Sequence, residues 1–395
     1  MAVSDIRRAT DLFAVPLASA SPARWGSYRN LLAKILLNKR KGILAEEEEE
    51  YKGREHFPDQ VLDGPELMDD VGVNLLDWGY GGRLAVSLGG AVHLWCPTRS
   101  SPTTTLSTGD VVRVTSVSWA PDGCHIAVGL NNSHIQFWDS TCNRLLRTIT
   151  HGHGRRSRSR VGAVSWNGNV LTSGGADGLV IDNDPRLRTP HVQTSVYKGH
   201  RKGHEVCGLN WSGSAHQLAS GGSDGLVNIW DSRIGTRSIF CFNSDPDPGI
   251  ARAVAWCPFR DHLLATGGGK SINFWNTLTG KCINSVNTIA AAGSHGSRGS
   301  QVLALMWSKS NQELLSSCGN QLTLWEYPSV RKIGQLNGHT DRVLYLAQSP
   351  DGCTIASASG GDETIRLWKN VFPPMPPEDS PKGGAFTTSH RAHIR

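Results

Sequence analysis

Four groups of residues have the types and spacing that chemistry uses. His339, Ser357 and Asp362, and equally Ser220 and Asp224 with either His200 or His204, supply the hydroxyl, imidazole and carboxylate of an acyl-transfer triad. Gly267-Gly268-Gly269-Lys270-Ser271 has the composition of a phosphate-binding loop. His151-Gly152-His153 offers two imidazoles to a metal ion. Arg155-Arg156-Ser157-Arg158-Ser159-Arg160 places four arginines in six residues, enough to grip phosphates or an acidic protein.

Each group has a structural explanation that competes with the chemical one. The glycine string lacks the G-x-x-x-x-G-K-[ST] spacing and no helix follows it, so it reads as a hairpin between strands. The His151/His153 pair has no further ligand nearby and reads as a solvated loop. The arginine run reads as a loop between two repeat units. The two triad-like sets each end in a tryptophan, Trp368 and Trp230, at similar spacing. That pattern suits a hydrogen-bonded chain that satisfies buried polar groups, each of which would otherwise cost about 1–3 kcal/mol. With no other nucleophile and base in view, the sequence points to a binding platform that is not an enzyme and needs no cofactor and no metal.

The elements that must position these residues come from an internal repeat. Trp95, Trp138, Trp230, Trp275, Trp325 and Trp368 each follow an aliphatic or aromatic residue and recur at 43 to 50 residues, except for one doubled gap after Trp138. Leu179-Val180-Ile181-Asp182 fills that gap, with Asp182 in the tryptophan place. A second register, Trp78, Trp119, Trp166, Trp211, Trp256 and Trp307, precedes the first by 17 to 20 residues. The seventh unit has Ala347-Gln348-Ser349-Pro350-Asp351-Gly352 there instead. Seven units of this period predict an all-β, seven-bladed WD40 β-propeller with four strands per blade. The 44 glycines agree with many short strands joined by tight turns.

The ring is expected over 56–371. Residues 1–55 form an N-terminal arm with a short amphipathic helix at Trp25 to Asn38, a basic patch at Lys39-Arg40-Lys41 and an acidic run from Glu46 to Glu50. Residues 372–395, rich in Pro, Gly and Ser, are expected to be a disordered tail. Little chain remains after Trp368 to complete the last blade, so a segment near Phe57 to Leu62 should supply its outer strand. The net charge of +6 is below that of a dedicated nucleic-acid binder. Nine scattered cysteines suit reduced thiols. No apolar run of about 18 residues is present, and Met1 opens no signal peptide. The expected setting is the nucleus and cytoplasm, with no membrane partner.

Val61-Leu62-Asp63-Gly64-Pro65 followed by Asp69-Asp70 and Asn74-Leu75-Leu76-Asp77-Trp78 resembles the start of the propeller in the Fizzy family, the activators of the anaphase-promoting complex. Glu205 to Trp211, Ala253 to Pro258, Leu264 to Gly269, Gly338 to Leu344 and Asp362 to Trp368 continue the resemblance around the ring. Tyr28 to Ala33 and Lys41 to Ala45 resemble the stretch ahead of it in plant members. The final Ile394-Arg395 is similar to the family's ligase-docking tail.

The resemblance implies a substrate receptor for a ubiquitin ligase. Its partners would be the core subunits of the anaphase-promoting complex, degron-bearing substrates such as cyclins and securin, and spindle-checkpoint proteins. Destruction boxes (R-x-x-L) would bind between the first and last blades, with Asp63 and Glu363 on the arginine and Leu62 in the apolar slot. Lys-Glu-Asn boxes would meet Gln301 and Arg342, with Arg342 on the degron glutamate. At that second site the chain departs from the family: Ser223 and Gly225 stand for asparagines and Lys270 for a threonine. Asp11-Leu-Phe-Ala-Val-Pro16 lacks the arginine of the C box, and Val71 and Gly72 replace paired tyrosines. These departures leave two other roles open, a competitor that does not activate the ligase and a general WD40 scaffold whose arginine-rich loop binds RNA or chromatin.

Overall fold

The computed structural model describes residues 54–97, 103–109, 112–150, 153, 159–187, 193–243, 249–288 and 301–372. The candidate helix, the C-box-like string and Ile394-Arg395 lie outside the described residues. Within them the chain folds as seven sheets, each with four antiparallel strands. The first strands of the seven blades are Leu76–Trp78, Val114–Trp119, Val161–Asn167, Val206–Trp211, Ala253–Trp256, Val302–Trp307 and Tyr345–Gln348. Each contacts its counterpart in both neighbouring blades, and the seventh meets the first, so they line a closed central channel.

Burial follows distance from this axis. The second strand Gln217–Gly222 of blade 4 is buried throughout because blades stack on both of its faces. The outer strand Arg144–Ile149 of blade 2 is exposed over its first half. Leucine, isoleucine, valine and alanine, with buried serine and threonine hydroxyls among them, therefore fill the inner strands, while outer strands such as Arg144–Ile149 and Arg331–Leu336 carry charge.

The chain closes the ring on itself as expected, and adds a second closure that the sequence did not announce. Gln60–Asp63 pairs antiparallel with Thr364–Lys369 as the outer strand of blade 7. Just ahead of it, Arg54–His56 pairs parallel with Arg331–Leu336 as a fifth strand on blade 6. One stretch of ten residues, 54–63, thus fastens two adjacent blades.

The triad-like sets are interior braces. In blade 7, His339 Nδ1 lies 2.8 Å from Asp362, its Nε2 lies 2.7 Å from Ser357 Oγ, and the Trp368 indole donates to that same hydroxyl at 2.8 Å. Since Ser357 accepts from the indole, it gives its own proton to Nε2, which leaves the ring proton on Nδ1 facing the carboxylate. Blade 4 repeats the arrangement with His200, Asp224, Ser220 and Trp230, so His200 and not His204 is the partner. Burial disfavours the Asp224 carboxylate, but the His200 and Arg201 hydrogen bonds outweigh it and hold the group at about 2.

Blade 3 corrects two expectations. His153 is 1% exposed and bonds Asp177 at 3.0 Å and Ser173 at 3.0 Å, so it is the blade's buried histidine and not part of a solvated loop. The tryptophan place is taken by Asn183, one residue later than Asp182: Asn183 pairs with Leu171 as Trp230 pairs with Leu218, and its amide donates to Ser173 at 3.1 Å. The glycine string is the hairpin between Leu263–Gly267 and Ser271–Asn276.

Candidate functional site

First strands all run from one face of the ring to the other; the face where they begin is called upper here. Asp63, Glu363, Gln301, Arg342, Ser223 and Lys270 all fall in strand ends or loops of that face.

Asp63 and Glu363 are brought together. Asp63 stands opposite Thr364, the residue after Glu363, and the Gly64 amide donates to the Glu363 carbonyl at 2.7 Å. Both side chains are exposed. Glu363 has a φ of 51° in the hairpin between Thr354–Ser359 and Thr364–Lys369, a conformation uncommon outside glycine. Strand alternation turns Leu62 the other way. It packs on a cluster built from both blade 1 (Leu76, Leu84) and blade 7 (Ile365, Leu367). The seam between the last and first blades therefore carries two acidic groups beside a half-buried leucine, a combination that suits a basic residue followed at short distance by an apolar one.

The residues around the channel mouth are arranged differently from expectation. Arg342 already holds Asp69 in a fork, through Nε at 2.7 Å and a terminal nitrogen at 2.9 Å. A ligand glutamate would have to displace that carboxylate. Ser223 Oγ accepts the Glu205 amide at 2.9 Å. Gln301 is half-buried just ahead of Val302–Trp307.

Arg160, last of the arginine run, is also committed: it holds Glu205 at 2.6 and 2.7 Å and reaches Asp70 at 3.1 Å. The Glu205 hydrogen bonds, with those to Asp70, push the guanidinium pKa further up; burial pushes that of Glu205 up in turn. Arg155, Arg156, Ser157 and Arg158 lie outside the described residues. Gly72 explains one departure from the family pattern: a Cβ there would come within 2.4 Å of Glu205 and 2.5 Å of Arg160, so the ion pair occupies space that a side chain would need.

Sequence reasoning missed the strap that joins these groups. Residues 68–74 cross the upper mouth of the channel. The Tyr345 hydroxyl donates to the Met68 carbonyl at 2.7 Å, and Asn74 bonds blade 2 through the Thr115 carbonyl at 3.0 Å. Arg252, 7% exposed, donates to Val73 of the strap at 2.9 Å, to Leu303 of blade 6 at 2.8 Å and to Leu344 of blade 7. It also lies 5.2 Å from the Tyr345 ring centre. Burial lowers its pKa, and main-chain carbonyls replace the carboxylate that a buried cation normally finds. An arginine opening an otherwise apolar inner strand was the available signal.

Comparison with known proteins adds the lineage. The CDC20/Fizzy WD40 domain model matches residues 62–368. The chain is 48% identical over 378 residues to "Cell division cycle 20.1, cofactor of APC complex" of Arabidopsis thaliana, covering 92% of this chain and 78% of that protein. It is 42% identical over 319 residues to "Anaphase-promoting complex subunit cdc20" of Dictyostelium discoideum, covering 79% of this chain and 60% of that one. Among solved structures, a chain of "Crystal Structure of Mitotic Checkpoint Complex" is similar with a TM-score of 0.71 and 36% identity, covering 82% of this chain and 93% of its own length. The repeat, the closure at blade 7 and these likenesses agree: the chain belongs to the CDC20/Fizzy family.

Proposed function

We propose that this protein is an adaptor that activates the anaphase-promoting complex, capturing destruction-box degrons at the seam of blades 7 and 1. The observation that supports it is the juxtaposition of Asp63 and Glu363, both exposed, beside Leu62 on the two-blade cluster. The arginine of an R-x-x-L segment would lie between the carboxylates, and its leucine against Leu62. Relatives carry the name of cofactors of this ligase, which supports the same reading. Ile394 and Arg395 would dock on the ligase core. The Lys-Glu-Asn subsite would be weak, because Arg342 is engaged by Asp69.

The test is reconstituted ubiquitylation of a destruction-box substrate by purified ligase core, with and without this chain. Stimulation that an R-x-x-L peptide competes away supports the reading. Binding of substrate without stimulation would favour the competitor role instead.

A further inference from the structure

At the lower face the channel widens into a cavity of about 400 Å³, within the range of small-ligand sites. Trp78, Trp119, Trp256 and Trp307 from four blades line it, together with Tyr80 and with polar side chains such as Asn210 and Gln348. Tyr80 is 69% exposed. Among the described residues that line it, Lys309 is the cation, and Asp77 is the carboxylate that shares the cavity with it. Lys309 Nζ donates to the Ser349 carbonyl at 3.0 Å and lies 6.0 Å from the Tyr80 ring centre, which leaves further N–H donors for a ligand.

The chain itself arrives at this cavity. Phe372, the last described residue, is fully buried in a cluster flanked by Met306 and Leu346, and both of these also line the cavity. The next residues are Pro373-Pro374-Met375-Pro376-Pro377-Glu378-Asp379. Such a run favours the polyproline helix, which rises about 3.1 Å per residue and loses little entropy on docking between aromatic rings. Seven residues reach about 20 Å, ample for a cavity that begins beside their anchor.

We propose that residues 373–379 of the same chain dock in this cavity as a polyproline segment, with Met375 among the tryptophans and an acidic side chain of Glu378 or Asp379 on Lys309. The site is separate from the upper-face seam.

Methionine-methyl NMR of the full chain tests this, because the protein has only four methionines and Met375 is assigned by Met375→Leu. The indole rings should shift the Met375 methyl upfield of its free-chain position, with cross-peaks to tryptophan protons. Tyr80→Ala and the pair Pro374→Gly, Pro376→Gly should each move it back toward the free position while the melting temperature stays within a few degrees. A wild-type Met375 methyl at the free-chain position would overturn the proposal, as would a shift indifferent to both variants. A shift lost on dilution would assign the cavity to a second copy of the chain and overturn the intramolecular reading.

Discussion

Replacing the two rim carboxylates by their amides, Asp63→Asn and Glu363→Gln, isolates charge from shape. Both side chains are exposed, whereas their backbones are tied into the closing ladder, so neither change should disturb the fold. Glutamine also keeps the left-handed backbone at 363 under the same constraint, whereas glycine would relax it. A hydrogen bond to a charged group contributes about 1.5–3 kcal/mol when shielded, and an exposed ion pair contributes about 0.2–1 kcal/mol. A guanidinium laid across both carboxylates covers them partly, which places each loss at about 1–2 kcal/mol, or about 5- to 30-fold in Kd. The double variant should lose less than the sum, because both groups share one cation. Fluorescence anisotropy of a labelled R-x-x-L peptide measures this. Raising salt should weaken wild-type binding and leave the double variant nearly unchanged. If both single variants bind like wild type, the arginine is held elsewhere and the assignment of this seam fails.

Four further outcomes follow from the same geometry. Removing residues 1–45 should leave the melting temperature unchanged, whereas removing 1–64 takes away both closing strands and should lower it sharply; equal values would refute the closure argument. Ser357→Ala strips an acceptor from Trp368 and a partner from His339, and should cost about 1–3 kcal/mol in denaturant unfolding. Burial, outweighing Asp362, lowers the His339 pKa, so below about pH 6.5 the unfolded chain takes up a proton that the folded ring refuses; stability should fall from pH 7 to 5, less steeply in His339→Gln. Deleting Ile394-Arg395 should abolish co-purification with the ligase core, and Leu12→Arg with Ala14→Ile should strengthen it.

The ring was legible because its cause is periodic: a tryptophan closes the third strand of every blade but the third, and in blades 4 to 7 its indole donates to a buried hydroxyl of the second strand. Where that donor changed type the reading slipped, and Asn183, which donates to Ser173 in the tryptophan's stead, was passed over for Asp182. His153 was invisible for a related reason, since its partners Ser173 and Asp177 lie 20 and 24 residues away and no tryptophan marks the set. The strand Arg54–His56 has three residues and a parallel partner 280 positions on, so neither alternation nor turn chemistry announces it. At the seam, Asp63, Glu363 and Leu62 were named through resemblance, and the structure places them together. Pairings such as Arg342 with Asp69 or Arg160 with Glu205 were beyond reach, because a charge in a sequence does not disclose its counter-charge.

The latch formed by residues 54–63 also sets how force enters the molecule. A pull on the chain ahead of Arg54, along the strand axis, loads the three register pairs on blade 6 and the four on blade 7 in shear, where hydrogen bonds resist together and do not unzip singly. Load is shared between two neighbouring blades and passes into the ring where its first and last strands meet. Should the latch yield, Leu62 and Asp63 leave with it. Mechanical failure of the ring and release of whatever sits on that seam would then be a single event, so tension on the arm has a direct route to cargo.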